Sequence, residues 1–316
     1  MNKNFEFTIT ELPQGQPGFL SGCAIYGTNY SEKCYWLNIY NENKIIDSFP
    51  FELIDVKYTK YKIARCLPGF SGPSGNYFSN SNFNKLVDCF DHLNVICLYL
   101  LSRCPSQNKF GSYRTNYKVG LDRDLPQIIN SFRRDSRSRC NKYKSFLGDY
   151  SIELGSKNVG EFSLQYKLLS EKHNFPEIYC LDYKKLTYLL KSNFIQLLTV
   201  RNSYSQWVGG CILAMQYSPL PTIDYLYSCY SNAIKDSNRI MLLKLYEYGI
   251  SNKFEEILLG GGISENDSLA RFKEGMGGTA VPCTVYKFIF NEDSYNFLSK
   301  SRPTQQSNYF PSFSLE

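Results

Sequence analysis

A run of three glycines, Gly260 to Gly262, follows a short apolar segment and constrains this chain more than any other feature. The apolar residues before it are typical of a buried strand, so the glycines are predicted at the exit of that strand. Because glycine has no Cβ, the backbone there can approach another molecule closely. An acidic turn follows, and then a short helix that carries Phe272 and Lys273. Bare backbone with a lysine close behind favours a site that holds an anionic group.

The composition is that of a soluble globular protein, and the length suits two domains of average size or one large domain. The 316 residues are 43% hydrophobic and 20% charged, with a net charge of +6. This charge is smaller than that of a dedicated nucleic-acid-binding protein, and it suits an anionic small ligand and a weak preference for a membrane surface equally well. Aromatic residues are abundant at 16%, which we interpret as a compositional bias because the sequence shows no clustering of them.

The cysteines and histidines argue against a disulfide scaffold and against a metal site. Eleven cysteines occur without a Cys-x-x-Cys pair, and His92 and His173 lie far apart. We therefore expect free thiols in a reducing compartment and no bound metal. The amino terminus lacks the apolar stretch of a signal peptide, and no run of about 18 apolar residues occurs. We expect a cytoplasmic protein without a transmembrane segment.

Short β-rich runs broken by turn residues dominate the first part of the chain. They predict strands over residues 19–26, 35–40, 44–51, 61–67, 95–102 and 117–121. A helix is predicted over residues 82–93 with Asn82 as its N-cap. Asp124 is predicted to open a further helix that continues to residue 147 and has a strongly basic second half.

The second half of the chain predicts three successive antiparallel strands among helices. The predicted strands cover residues 150–154, 194–200, 207–217, 223–230, 256–259 and 284–290. The predicted helices cover residues 160–173, 182–191, 237–248 and 268–275. Ser237 is predicted to cap the third of these helices and Gly249 to end it.

The element order of the second half resembles that of a GNAT acyltransferase core, and the first half shows a looser version. Residues 237–273 further resemble the second GNAT-like domain of the Fem-type peptidoglycan ligases and their bacterial acyltransferase relatives. The resemblance is carried by the Tyr-rich strand 225–231, Asn238, the glycines 260–262 and the pair Phe272 and Lys273. Three weaker likenesses are the arginine-rich segment 132–139, the loop 68–73 and a Phe-Pro-aromatic carboxyl end known from relatives in surface-polysaccharide systems.

The resemblance implies an α+β protein of tandem GNAT-like domains, each with a mixed, mostly antiparallel sheet flanked by helices. We expect an N-terminal half, residues 1–147, that ends in the basic helix. We expect a C-terminal acyltransferase half, residues 148–316, that ends in an extended tail.

The resemblance also implies roles for individual residues. Lys273 is expected to neutralise charge at the transferred acyl group. Residues expected to bind the acyl donor are Tyr227, Ser228, Asn238, Arg239, Gly260, Gly261, Gly262 and Phe272. Residues expected to bind the acceptor are Phe70, Gly72, Arg134 and Arg137. The guanidinium groups suit a diphosphate, although their spacing suits a solvated helix face as well.

The reaction needs a carboxylate or a water relay that takes a proton from the attacking amine. Asp224, Asp267 and Glu265 are the candidates near the predicted site. A turn or capping role suits each of them better than catalysis does, and Asp267 in particular suits an N-cap before Ser268.

We interpret the chain as an acyltransferase that moves an acyl group from acyl-CoA or an acyl carrier protein to an amine. The expected acceptor is an amino sugar or a nucleotide sugar of a surface polysaccharide of the cell envelope. No cofactor is expected to be tightly bound, and the amine is expected to attack directly because the remote histidines suggest no nucleophile pair. Residues 234–239 lack the glycines of a conventional CoA pyrophosphate loop. An aminoacyl-tRNA-dependent Fem-type ligase and a non-catalytic binding protein therefore stay open as alternatives.

Overall fold

The computed structural model contains two compact units, which we call the first and the second unit. The first unit is formed by Met1–Arg114 with Pro282–Glu316, and the second by Thr115–Val281. The structure describes residues 5–11, 34–67, 72–73, 75–102, 105, 110–175, 180–192, 194–216, 220–262, 267–303 and 310–315. These units differ from the expected halves 1–147 and 148–316. The helices before residue 147 pack into the core of the second unit, and the last strand pairs within the first.

A mixed sheet of six described strands forms the first unit. In order across the sheet they are β1 (Phe5–Thr10), β2 (Cys34–Asn41), β3 (Lys44–Asp55), β4 (Lys62–Cys66), β5 (Val95–Ser102) and β12 (Thr279–Ile289). The described pairs are antiparallel except β4 and β5, which run parallel. Helix α1 (Asn80–Asp91) connects β4 to β5 and buries Leu86 and Phe90 in the core, and α8 (Glu292–Ser301) follows β12.

The second unit repeats this strand order. Its six described strands are β7 (Tyr150–Leu154), β8 (Ile195–Asn202), β9 (Trp207–Gln216), β10 (Thr222–Tyr230), β11 (Glu256–Gly261) and β6 (Gly111–Gly120). Among the described pairs only β10 and β11 run parallel, and α6 (Ser237–Ser251) connects them. Two mostly antiparallel sheets with the same order and the same parallel pair confirm the predicted α+β tandem architecture.

Helices pack on both faces of the second sheet. Besides α6 they are α2 (Leu125–Asn130), α3 (Arg134–Lys144), α4 (Val159–Lys172), α5 (Tyr183–Leu189) and α7 (Ser268–Gly275). On one face, Gly249 of α6 packs against Ile223 of β10. On the other face, the Cys229 thiol of β10 donates to the Phe162 carbonyl of α4. Among the described residues, no helix is both long and apolar enough to cross a membrane.

The predicted helix over residues 124–147 is wrong in its continuity, because the chain forms two helices there. Asp124 caps α2 through a hydrogen bond from the Gln127 amide, as predicted. Arg133 then adopts an extended backbone, and its amide donates to the Gly275 carbonyl instead of continuing the helix. A tertiary hydrogen bond therefore sets the break.

Three predicted helix ends are also wrong, and one of them is the predicted cap Ser237, which lies inside α6 after the N-cap residue Asp236. Asn82 lies inside α1, where its side chain accepts from the Phe5 amide instead of capping the helix. Gly249 does not end α6, which begins after Asp236 and continues to Ser251. A Cβ at Gly249 would lie 2.5 Å from Leu121 Cδ1, so this glycine makes room for packing. The predicted strand over residues 19–26 lies outside the described residues.

Gly72→Ala is expected to destabilise the first unit. The Gly72 amide donates to the Leu101 carbonyl oxygen, and a Cβ at Gly72 would lie 2.5 Å from the same oxygen. Because a paired strand backbone cannot easily retreat, we expect a loss of about 1–3 kcal/mol in the free energy of unfolding. Urea denaturation measures this loss.

Gly160→Ala is the control for this substitution. Gly160 lies in α4, and a Cβ there would meet nothing within 4 Å. Alanine in a helix is expected to leave stability unchanged or to raise it slightly. Equal losses in both variants would show that close approach is not what makes Gly72 necessary.

Candidate functional site

The glycine-rich segment begins inside β11 rather than after it. Gly260 and Gly261 pair with Tyr117 and Asn116 of β6, and the register shifts between Leu258 and Gly260. Gly260 has a φ of +77°, in the left-handed region that favours glycine. The strand therefore ends in a bulge whose backbone conformation disfavours any other residue.

Lys273 of α7 contacts this strand end directly. Its ammonium group donates to the Gly261 carbonyl oxygen over 2.7 Å, and the residue is only 7% exposed. A Cβ at Gly260 would lie 3.2 Å from Lys273 Nζ. Gly262 follows the strand and is buried as well. Burying an ammonium group costs free energy unless polar partners surround it, so a buried lysine at bare backbone marks a candidate site.

The pairing of the parallel strands β10 and β11 ends beside this lysine. Their register runs from Thr222 paired with Glu256 to Asp224 paired with Leu258. Beyond these residues β10 continues to Tyr230 along β9, and β11 continues along β6. We call the stretch in which these two strands are no longer paired with each other the strand gap. Peptide groups along such open edges are able to bind an extended ligand.

The corresponding parallel pair in the first unit stays closed. β4 and β5 are paired up to Arg65 and Tyr99, and the Leu101 amide then donates to Cys66 Sγ over 3.2 Å. The Gly72 amide donates to the Leu101 carbonyl over 3.1 Å. A side chain and a loop thus fill the position that is open in the second unit. We therefore place the candidate site in the second unit.

A bulge in β10 determines on which face of the sheet the side chains next to the strand gap lie. The register against β9 shifts between Tyr225 and Tyr227, which changes the alternation of side chains. Tyr225 packs on the α6 side and is hydrogen-bonded to Ser228, and burial is the main reason that its pKa is raised well above the usual value. The Tyr227 ring packs 5.9 Å from Tyr166 of α4. Of the two residues expected to bind the donor, Ser228 faces α6 and Tyr227 faces α4.

Arg239 connects the start of α6 to α7. Its guanidinium carbon lies 5.6 Å from the centre of the Phe272 ring, a cation–π contact. Its Nη1 donates to Asp236 Oδ1 over 2.8 Å, and Asn238 Oδ1 accepts from the Arg239 amide. Arg239 and Phe272 are both expected to bind the donor, and the structure brings them into contact. Phe272 directly precedes Lys273 in the chain.

Asp236 is a charged residue of the candidate site that the sequence did not reveal. Its Oδ1 also accepts from Arg139 Nη1 over 3.4 Å, and its Oδ2 accepts from the Tyr143 hydroxyl over 3.2 Å. Burial alone would raise the pKa of this carboxyl, but Arg239, Tyr143 and Arg139 outweigh burial and lower it. The ionised carboxylate ties α3 to the start of α6. No local pattern in the sequence could reveal a contact between residues this far apart in the chain.

The predicted catalytic carboxylates have different surroundings. Asp267 caps α7, because its Oδ1 accepts from the Ala270 amide over 2.7 Å. Asp224 is 3% exposed and belongs to the last residue pair before the strand gap. Glu265 lies outside the described residues. The cap alternative for Asp267 is therefore confirmed, and Asp224 is the carboxylate at the strand gap.

The residues expected to bind the acceptor belong to different parts of the structure. Phe70 lies outside the described residues, and Gly72 packs on β5 in the first unit. Arg134 and Arg137 belong to α3 in the second unit. Arg134 is exposed, whereas Arg137 Nη1 donates to the Asn130 carbonyl at the end of α2. Acceptor binding by these residues stays a prediction.

The described cysteines are poorly suited to act as nucleophiles. All nine of them are free thiols. Burial raises the pKa of Cys140 and that of Cys283 to about 11, and it raises the pKa of Cys211 further. Such thiols are protonated at neutral pH, whereas the thiolate is the reactive form. In the part of the chain that the structure describes, no group of three or more His, Cys, Asp or Glu side chains could hold a metal ion.

Comparisons with known proteins identify the fold. No protein-family model and no curated protein matches the chain. Among solved structures, FemX is similar with a TM-score of 0.61 and 13% identity, over 90% of this chain and 95% of that one. A tandem GNAT protein from the clavulanic acid biosynthesis pathway has a TM-score of 0.51 and 8% identity, over 91% and 99% of the two chains.

A conserved protein of unknown function from Bacteroides thetaiotaomicron is similar as well, with a TM-score of 0.51 and 10% identity over 85% and 92% of the two chains. These similarities span nearly the whole of each structure. The chain therefore has a tandem GNAT fold of the kind seen in FemX, and the predicted resemblance is confirmed at the level of the fold.

Gly260→Ala is expected to disturb the strand end. An alanine in the left-handed region costs about 1–2 kcal/mol, and its methyl group would press against Lys273 Nζ at 3.2 Å. We expect the thermal midpoint of unfolding to fall by roughly 2–8 °C in calorimetry.

Gly148→Ala is the matched control in the same unit. A Cβ at Gly148 would meet nothing within 4 Å, so the midpoint should stay close to that of the wild type. A wild-type midpoint for Gly260→Ala as well would contradict the left-handed strand end.

Asp236→Asn tests the ion cluster at the start of α6. Asparagine keeps the shape of the side chain and tolerates the local φ of 55°, but it removes the charge. We expect the free energy of unfolding at neutral pH to fall by about 1.5–3 kcal/mol, because a carboxylate that accepts three hydrogen bonds is lost.

The pH dependence of this loss has a definite sign. The folded pKa of Asp236 is lower than the unfolded one, so its contribution is fully present above about pH 4 and is lost as the pH falls through the folded pKa. The difference between variant and wild type should therefore shrink in acid, as followed by circular dichroism melting. A difference that is constant from neutral to acid pH would contradict the assignment.

Proposed function

We propose that the second unit transfers an acyl group from an ester or thioester donor to an amine. The observation that supports this function best is the buried Lys273 ammonium, 2.7 Å from the Gly261 carbonyl beside the strand gap. A fold shared with FemX and with a tandem GNAT protein supports an acyltransferase.

In this proposal the donor lies extended in the strand gap with its carbonyl directed at Lys273. The acceptor amine attacks the carbonyl carbon, a C–N bond forms, and the C–S or C–O bond to the donor breaks. Negative charge develops on the carbonyl oxygen in the transition state, and Lys273 neutralises it. One preorganised group of this kind contributes about 3–4 kcal/mol in a dry site. The Gly261 carbonyl holds the ammonium in place before the charge develops.

The proton balance requires one further group. The attacking amine loses a proton, and the leaving thiolate or alkoxide gains one. Asp224 is the better placed carboxylate for this transfer, because it belongs to the last residue pair before the strand gap. Attack is direct rather than through an acyl-enzyme, since burial holds thiols such as those of Cys140 and Cys211 in their protonated form.

The start of α6 bears on the class of donor. The Ser237 amide donates to the Ile234 carbonyl, and the Arg239 and Ile240 amides donate to the Asp236 carbonyl. A diphosphate would need bare amides at this helix end, and it would also meet the Asp236 carboxylate. We therefore favour an acyl group delivered by a carrier protein or, as an aminoacyl group, by tRNA over free acyl-CoA.

The proposed acceptor is the amine of an amino sugar, either free or linked to a nucleotide. This part of the proposal rests on the resemblance of the carboxyl end to relatives in surface-polysaccharide systems. The net charge of +6 is compatible with a negatively charged nucleotide sugar.

Lys273→Met is the decisive substitution. Methionine keeps the length of the side chain and removes the charge, so we expect kcat for transfer to fall about 10²–10³-fold. The thermal midpoint should change little, because an apolar side chain avoids the cost of burying a charge. Acyl carrier protein, aminoacyl-tRNA and acyl-CoA serve as donors, amino sugars as acceptors, and mass spectrometry detects the product.

Lys244→Met is the matched control. Lys244 is another lysine of the second unit that is 7% exposed, and its partners are the Leu147 carbonyl and the Glu247 carboxylate. We expect this variant to keep the wild-type kcat. Undiminished turnover by Lys273→Met would remove the catalytic role of the lysine, and absence of transfer from all three donors by the wild type would favour a binding protein.

A further inference from the structure

A surface cavity of about 400 Å³ lies on the second unit, and none of its lining residues has a role in the proposed transfer step. Its lining includes Lys142, Tyr143 and Phe146 at the end of α3, Asp149 and Tyr150 at the start of β7, and Tyr204 between β8 and β9. The volume falls within the range of about 300–1,000 Å³ that is typical of small-molecule sites. Four of these six side chains are aromatic.

Two of the aromatic side chains are largely exposed, so packing in the core does not account for them. Tyr204 is 82% exposed and Phe146 is 57% exposed. The turn that carries Tyr204 is stiff, because Asn202 Oδ1 accepts from the Tyr204 amide over 3.1 Å and from the Gln206 amide over 2.9 Å. A ring held in water by a rigid turn is preorganised to stack on a flat ligand.

The other two rings belong to the fold itself. Tyr143 and Tyr150 are half-buried, and the Tyr143 hydroxyl donates to Asp236. Burial is the main cause that raises the pKa of both tyrosines, so both hydroxyls stay protonated. The cavity therefore has a fixed inner wall and an outer pair of rings that is open to a ligand.

Charged groups complete the cavity. Lys142 lines it, and both Lys142 and Lys144 lie in the last turn of α3. Neither lysine has an ion-pair partner among the described residues, so Lys142 is available to an anion. Asp149 is the carboxylate of the lining and is able to accept hydrogen bonds from hydroxyl groups. The lining is therefore suited to a ligand with a flat ring, hydroxyl groups and an anionic group. A nucleotide has all three of these features.

We propose that this cavity binds a nucleotide. The base stacks on Tyr204 and Phe146, the ribose hydroxyls donate to Asp149, and a phosphate pairs with Lys142. Binding does not depend on transfer at Lys273. A nucleotide sugar, the adenosine part of CoA and the 3′ end of a tRNA all carry this chemistry.

Isothermal titration calorimetry with the whole chain tests the proposal. The probes are UDP, ADP and the trinucleotide CCA, with glucosamine as a sugar that lacks both base and phosphate. Saturable binding of any of the three nucleotides supports the site, and the tightest of them identifies the source. Failure of all three to bind, or binding of glucosamine alone, overturns it.

Variants then locate the binding. Tyr204→Ala should weaken the bound nucleotide about 5- to 150-fold, the range that one stacked base contributes, whereas Tyr204→Phe should bind like the wild type. Lys142→Gln should weaken binding and reduce its salt dependence. Tyr183→Ala removes a 56% exposed tyrosine outside the cavity and should change nothing.

Wild-type affinity in Tyr204→Ala, or an equal loss in Tyr183→Ala, would overturn the assignment. Lys273→Met should bind the nucleotide normally. Failure of the nucleotide site and failure of the transfer proposal are therefore distinguishable.

Discussion

A buried ammonium group held by a strand-end carbonyl is the interaction on which the candidate site depends. Lys273 reaches the Gly261 oxygen because position 260 has no side chain and adopts a left-handed backbone. The same contact fixes α7 against β11 beside the strand gap. A positive charge, bare backbone and an open pair of strands thus meet at one place, and none of the three would suggest acyl transfer by itself.

The two units have the same strand order, but the parallel strand pair is closed in the first unit and open in the second. Both have the same strand order and one parallel pair joined by a helix. In the first unit, the Cys66 thiol and the Gly72 amide are bonded to Leu101 and occupy the position beside β5. In the second unit, the register between β10 and β11 ends after Asp224. Side chains and loops, rather than strand order, decide which copy of the fold offers a site.

Residues whose own chemistry decides the local structure were predicted well, and those used by distant partners were not. Asp267 caps a helix as its position before Ser268 predicted. Asn82 was expected to act in the same way, but its side chain bonds to Phe5, far away in the sequence. Gly249 was expected to end α6, but its missing side chain makes room for packing and the helix continues. A strong local signal fails where a tertiary contact uses the same residue.

The sequence by itself determined the grouping of Gly260, Gly261 and Lys273, because strand, turn and helix follow one another within a short stretch of chain, and the tandem α+β fold followed from the family resemblance of its element order. Only the tertiary structure decided that Arg239 stacks on Phe272, that Asp236 gathers its partners from two helices, and that β10 separates from β11. These features depend on contacts between residues that are distant along the chain. Packing of whole elements fixes such contacts, and no local pattern of residues encodes them.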